Sequence, residues 1–513
     1  MQDLIVKAGW VVTGIKDRFN PEIVEGGAVL SRDGVIVAIG SPAELQKLSP
    51  TAEVRAYPSH VMLPGFVNSH HHVGMTPLQL GSPDYALELW FAGRIAAKRL
   101  DLYLDTLYSA FEMIASGVTT VQHIHGWMPG QFDGIHSAAT KVLGAYRAIG
   151  MRASYCYAVR EQNRLVYEAD ETFCARLPKP LGEKLLRHLS AQAMPFSDFL
   201  RLFDVLRSDN EGQRLTRIQL APANLHWCSD DGLLALNEKA KASKAPMHMH
   251  LLETAYQKEY AMRRTGKTAV RHLHDLGVLG PHLTLGHGVW MSEDDIDIIA
   301  DTGTCLCHNC SSNFRLRSGL APLNVWEQKG ITIGMGLDEA GINEDRDMLQ
   351  ELKLALRVHR TPGMEEKDVP TAPQIVRMAT EGGAMTTAFG AEIGRLEAGR
   401  LFDAVLIDWT KATYPYQDAD IPMLDALVQR AKAQHVDAVY IGGELVYADG
   451  RFTKVDRDAV LAEIAGILNQ PRTPEEIERR DLGLAVFPHV KAFYDGYIRP
   501  GDRPPFYAGS SKV

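Results

Sequence analysis

The sequence predicts an α/β protein: a TIM-type (β/α)8 barrel carrying a small composite β-sandwich formed by its two flanking segments. Three observations carry this. Eight short apolar runs recur through the middle of the chain, each followed by a stretch with helical periodicity. Both ends show instead alternating apolar residues punctuated by Gly and Asp, a strand-and-turn texture. Polar residues, histidine above all, gather where the apolar runs end, and a parallel barrel places its reactive groups at that face.

In chain order, residues 1–62 hold DLIVKAGWVVTG, GGAVLSRDGVIVAIG and HVMLPG, short runs without helical period. They are expected to pair with residues 398–455, where GRLFDAVLIDW and VDAVYIGGELVYADGRF alternate Val, Ile and Tyr and end in a DG turn. Residues 63–397 are read as the barrel, with strands in LPGFVNSHHH, GVTTVQHIHG, RASYCYAV, RIQLAPAN, APMHMHLLE, LTLGHG, GTCLCHN and ITIGMGLD. After the third run comes an insertion, 160–216, rich in Leu, Phe and Arg, which is expected to form a helical lid or wall over the barrel mouth. Residues 456–513 read as a helical or extended tail that wraps the barrel or joins a subunit interface.

Composition narrows the partners. Of 513 residues, 45% are hydrophobic and 23% charged, an ordinary globular balance that argues against disorder. The 54 basic and 63 acidic residues give a net charge of −9, and no dense basic run occurs. This points away from nucleic acid and towards a small-molecule substrate. No apolar run approaches the roughly 18 residues of a membrane span, so no membrane partner and a cytoplasmic location are expected. Six cysteines are few for this length, and Cys305, Cys307 and Cys310 crowd into TGTCLCHNCSSN. They read as reduced core thiols in preference to a soft-metal cluster, which would need a fourth ligand.

Chemistry concentrates at strand ends: His70 and His72, His123 and His125, His250 with Glu253, His287, and Asp338. Residues two apart on a strand face the same way, so His70 and His72 can both enter the barrel mouth and grip one ion, with His71 turned away. Three imidazoles and the carboxylate of Asp338 leave room for water at a divalent ion, which lowers the pKa of that water towards about 7 and yields hydroxide. Attack on an electrophilic carbon then needs a proton shuttle. Glu253, three residues past His250, is placed to reach the water without binding the ion; the competing reading is a carboxylate favoured by a helix N-terminus. His287 is either a further ligand or, as we favour, a hydrogen-bonding partner of the water or oxyanion.

Several ordered motifs resemble the amidohydrolase superfamily, in its branch of atrazine chlorohydrolase-like enzymes and cytosine, guanine and adenosylhomocysteine deaminases. They are PGFVNSHHH, HLLE, LGHG, HNCSSNFRLRSG and GLDEAGINEDRDML, with ATEGGAMTTAFG, IGRLEAGRLFDAVLID and GGELVYADGRF resembling the returning half of the sandwich. The resemblance spans about residues 1–465. It implies one divalent ion, zinc or else iron, on His70, His72, His250 and Asp338, with Glu253, His287 and Asp338 in catalysis. It also implies hydrolysis of a non-peptide C–N bond in a small nitrogen-containing molecule, by aminohydrolysis or dechlorination of a nitrogen heterocycle, and a homo-oligomer. Relatives with two metals carry a bridging lysine near the fourth strand, and RIQLAPAN has none. Two positions depart from the branch: Ala223 stands where many of its deaminases carry a substrate-binding histidine, and Cys310 where proline is usual. Those departures keep open a second activity, cleavage of an acyclic urea, amide or carbamate; a ligand-free structural protein is a third reading, disfavoured because all four ligands and the glutamate are present. Substrate contacts are expected from Trp90, His125, Arg160, His226 and Asn313; the alternatives are core packing for Trp90, a loop hydrogen bond for His125, and pairing with Glu161 neighbours or the lid for Arg160.

Overall fold

The computed structural model describes residues 3–498 apart from 73, 127 and 129. All eight apolar runs are parallel strands. We number them β1 (Phe66–His71), β2 (Val118–His125), β3 (Arg152–Val159), β4 in two pieces (Thr216–Ile218 and Ala221–Pro222), β5 (Met247–Leu251), β6 (Leu283–His287), β7 (Cys305–His308) and β8 (Ile333–Met335). β1 to β4 form one ladder and β5 to β8 another. Two bridges close them into a barrel, Leu220 to Met247 on one side and His71 to Asp338 on the other. The second closure joins the first and last strands at Asp338, a sequence-predicted metal ligand.

Both chain ends feed a single nine-stranded sheet. The long strand Asp3–Ile15 runs parallel to Glu53–Pro64, and Ala404–Asp408 pairs antiparallel with the far end of the latter, Ala404 opposite Pro64. Two DG turns set the hairpins. Asp33 and Gly34 have φ of 52° and 79°, and Asp449 and Gly450 have 50° and 78°. Positive φ at both central residues is the two-residue hairpin geometry that matches strand twist. Gly34 is also required by space: a Cβ there would meet the Gly442 carbonyl oxygen at 2.2 Å. Val6, Val11, Val29, Ile36, Met62, Phe402, Leu406 and Tyr440 pack as this sheet's own core.

Sheet and barrel are pinned by a buried ion pair. Arg152, the first residue of β3, donates from Nε and Nη2 to the two oxygens of Asp403 at 2.6 and 3.1 Å, and both side chains are 3% exposed. Asp403 also accepts from the Gly442 amide at 2.7 Å. Losing one partner strands the other charge in a dry site. Arg152→Leu is therefore expected to cost about 3–5 kcal/mol in urea denaturation, with much of that loss recovered in the Arg152→Leu/Asp403→Leu double variant.

The insertion after β3 holds three helices, Asp170–Ala175, Lys179–Ser190 and Phe196–Asp209. The tail folds into Arg457–Leu468 and Pro474–Tyr494. Its long helix lies on Leu87–Arg94 at the barrel mouth, with Gly483 so close that a Cβ would touch the Ala96 amide nitrogen at 3.1 Å. Among the described residues no helix is long and apolar enough to cross a membrane.

Candidate metal centre and active site

Alternation along β1 sends His70 and His72 to one side, and β5 delivers His250 opposite them. Nε2 of His72 lies 3.1 Å from Nε2 of His70 and 3.0 Å from Nε2 of His250. Asp338 Oδ1 lies 3.2 Å from His72 Nε2 and 3.6 Å from His70 Nε2. His71 faces away, as expected, towards the Asp338 carbonyl and Ser109.

The hydrogen bonds behind the rings fix what they present. His72 Nδ1 donates to the Ile124 carbonyl at 2.7 Å, and His250 Nδ1 to the Ala223 carbonyl at 2.8 Å. With Nδ1 carrying the proton, each Nε2 is a lone pair. Burial holds His70 and His250 well below the usual imidazole range, and their neighbouring histidines push the same way, so both stay neutral. Converging lone pairs at 3 Å beside a carboxylate repel one another unless a cation lies among them. The donor set therefore suits a divalent metal ion on chemical grounds.

Sequence reasoning missed His248. It lies two residues before His250 on β5, and its Nε2 meets His70 Nδ1 at 2.8 Å. The same two-residue rule that paired His70 with His72, applied to MHMH, would have flagged it. Groups that orient a ligating imidazole typically affect metal affinity by about 10–100-fold, which is the loss expected for His248→Ala in a competition titration with a chelator. Ser312 was missed as well; its Oγ donates to Asp338 Oδ2 at 2.5 Å.

The acid–base groups stand beside this cluster. His287 Nε2 is 3.8 Å from Glu253 Oε2 and 3.9 Å from Asp338 Oδ2, while its Nδ1 bonds Asn313 Oδ1 at 3.0 Å. Glu253 precedes Thr254, the N-cap of Ala255–Thr265, and its carboxyl turns into the pocket instead of onto the helix end. Burial pushes that carboxyl well above the usual range, with Asp338 and Glu88 adding to the effect. His287 and Asp338 both sit at positive φ, 75° and 54°. Non-glycine residues rarely adopt that conformation, and at strand ends it re-aims their side chains into the mouth.

A cavity of about 40 Å³ opens onto this cluster, lined by Trp90, Phe91, Arg160, Ala223 and Trp227 among others. Trp90 and Arg160 are thus brought to the pocket. The Arg160 guanidinium lies 4.2 Å from the Trp227 ring centre, and burial lowers its pKa to about 9. The other three expected contacts are placed differently. His125 bonds the Tyr155 hydroxyl at 2.6 Å and faces a neighbouring chamber. His226 is buried behind the wall between Tyr167 and Trp227. Asn313 does not line the pocket and bonds His287 instead. Cys305, Cys307 and Cys310 are buried free thiols.

The Amidohydrolase family model matches residues 61–446, more than half of the chain. The chain belongs to the amidohydrolase family. This amidohydrolase is 29% identical over 469 residues, 90% of its length and 97% of the relative's, to a 5-methylthioadenosine/S-adenosylhomocysteine deaminase of Syntrophobacter fumaroxidans. It is 29% identical, with the same coverage, to a 5'-deoxyadenosine deaminase of Methanosarcina barkeri. An adenosine deaminase from Xanthomonas campestris with bound zinc superposes with a TM-score of 0.75 at 23% identity, over 94% of this chain and 99% of that one. Atrazine chlorohydrolase from Arthrobacter aurescens, complexed with zinc, gives 0.74 at 19% identity over 91% and 100%. The amidohydrolase is a metal-dependent enzyme acting on non-peptide C–N bonds of small nitrogen-containing molecules, as the motifs implied.

Proposed function

We propose that this amidohydrolase is a mononuclear aminohydrolase that replaces an amino group of a nitrogen heterocycle by hydroxyl, releasing ammonia. His70, His72, His250 and Asp338 hold one divalent ion, zinc in the first place and iron in the second. When bound, the ion supplies a water of lowered pKa and positive charge beside the reacting carbon.

The chain's own residues do the rest. Asp338 accepts a proton from the attacking water at its carboxylate. Glu253, whose burial favours the protonated form, donates its carboxyl proton to the departing nitrogen, and the proton taken up by Asp338 then passes to Glu253 to restore both groups. His287 donates through Nδ1 to Asn313 and so offers Nε2 as an acceptor that orients water between the two carboxyls. Trp90, Phe91 and Trp227 flank a flat substrate and keep bulk water out. The observation that carries this reading is Glu253: a buried carboxyl with raised proton affinity, 3.8 Å from His287 and turned into the pocket.

The aminated purine nucleosides named for the relatives favour a heterocyclic substrate. One observation favours a second reading, cleavage of an acyclic urea, amide or carbamate: Ala223 lines the pocket with a methyl group where many deaminases of the resembling branch carry a substrate-binding histidine. Mass spectrometry of products separates them. The metal-loaded enzyme is incubated with aminated and chlorinated heterocycles beside substituted ureas, amides and carbamates. A ring bearing hydroxyl in place of amine supports aminohydrolysis; two separate fragments assign the second reading.

We also propose a cytoplasmic homo-oligomer. The six cysteines are all free thiols, which suits a reducing compartment, and exposed Tyr414, Tyr416 and Ile421 offer apolar surface for a second copy.

A further inference from the structure

The reaction pocket is the inner end of a longer hollow. It shares His72, Phe91 and Gly126 with an outer chamber of about 370 Å³. Much of that chamber is apolar, including Met75, Leu80, Leu100 and Leu165, but one side is basic. Arg99 comes from the segment after Leu87–Arg94, Arg479 from the tail helix and His188 from the insertion, so three separate parts of the chain converge there.

Their interactions leave positive charge facing the chamber. Arg479 is 9% exposed; its Nη2 donates to the Ala97 carbonyl at 3.1 Å, and its Nε is buried without an acceptor. Arg99 is exposed at the rim and makes no hydrogen bond or ion pair among the described residues. The Arg99 charge presses on Arg479, while Glu475 and Glu476, which do not line the chamber, pull the other way on both arginines; the His188 imidazole is pushed down to about 4 by burial and then by both arginine charges.

Most of the other charges nearby are engaged; Arg472, with Nη1 buried and without an acceptor, does not line the chamber. Arg94 meets Glu339 and Arg164 meets Asp170. Lys98 donates to the carbonyls of Leu468 and Gln470. Among acids, Asp105 accepts from the amides of Gly74 and Met75. Glu475 and Glu476 lie in the first turn of the tail helix, where Glu476 accepts from the Thr473 amide. Arg479 Nε and the Arg99 guanidinium therefore keep hydrogen-bonding capacity for a ligand in the chamber.

We propose that the outer chamber receives an anionic tail of the substrate, an oxyanion of the carboxylate or phosphate class, held by Arg99 and Arg479 while the nitrogen-bearing head fills the inner pocket. The anion site stands on the chamber itself; the head-and-tail arrangement rests on the reaction proposed above. The apolar walls accommodate a carbon linker between the two ends, and planar guanidinium groups match the fork geometry of either oxyanion.

The test uses the metal-loaded, full-length protein and three six-carbon probes, hexanoate, hexyl phosphate and hexanol, titrated by calorimetry. At least one anion is expected to bind at least tenfold more tightly than hexanol, and Arg99→Ala to weaken that anion at least tenfold. Because Arg479 is buried, the exposed Arg99 carries the test, with Arg479→Lys as the milder second variant. The tighter of the two anions assigns carboxylate or phosphate. Equal binding of hexanol and both anions, or anion affinity unchanged in Arg99→Ala, overturns the proposal. Anion binding by a protein that hydrolyses no heterocycle, urea, amide or carbamate would keep the site and remove only the reaction assigned to its inner neighbour.

Discussion

Glu253→Gln is expected to lower kcat/KM by about 10²–10⁴-fold while leaving the metal content per chain unchanged. The substitution keeps the shape of a neutral carboxylic acid and removes the proton that can be given away. Glu253 is buried, its Oε1 lies 3.5 Å from Ser318 Oγ and its amide nitrogen is held by Gln257 at 2.9 Å, so the glutamine has the same frame to occupy. Neither contact involves His70, His72 or His250, and the ion should stay. Steady-state kinetics beside elemental analysis on one preparation checks both halves. Full retained activity would take Glu253 out of the proton path, and loss of metal would recast it as part of the ion's support.

The barrel was legible because its signal is local. Each strand is an apolar run ending in polar residues, and the two DG turns dictate their own hairpins through backbone conformation alone. The clustering of His70, His72, His250 and Asp338 was legible for the same reason: strand periodicity and a shared barrel face predict convergence without knowledge of any contact. What escaped was set across the chain. His226 follows β4 and so seemed placed for the pocket, but the chain turns it back against Tyr167, a residue of the insertion. His125 lies on the correct strand, yet Tyr155 on β3 claims its ring. For the tail, the sequence left open whether it wraps the barrel or joins a subunit interface. Its place depends on Gly483 meeting the backbone at Ala96 and on Lys98 reaching carbonyls some 370 residues away, contacts that leave no periodicity in the sequence.

His250→Ala is expected to abolish tight metal binding and, with it, turnover, and its effect on stability should reverse sign with metal. In the wild type three imidazole Nε2 lone pairs meet near 3 Å beside the Asp338 carboxylate. Without a cation that arrangement stores repulsion, and deleting one ring relieves it, set against the loss of the bond to the Ala223 carbonyl and of ring contacts to His70, His72 and His287. Stripped of metal, His250→Ala should therefore melt at or above the temperature of stripped wild type. With metal at about 1,000 times its dissociation constant, the wild type gains roughly 4 kcal/mol by linkage, whereas a variant that no longer binds gains nothing. The wild type should then melt several degrees above the variant. Calorimetric scans of both proteins with chelator and with added zinc read the crossover. If chelated His250→Ala instead melts far below chelated wild type, the imidazoles are knitted by shared protons and not by an ion, and the donor set assigned to the metal fails with them.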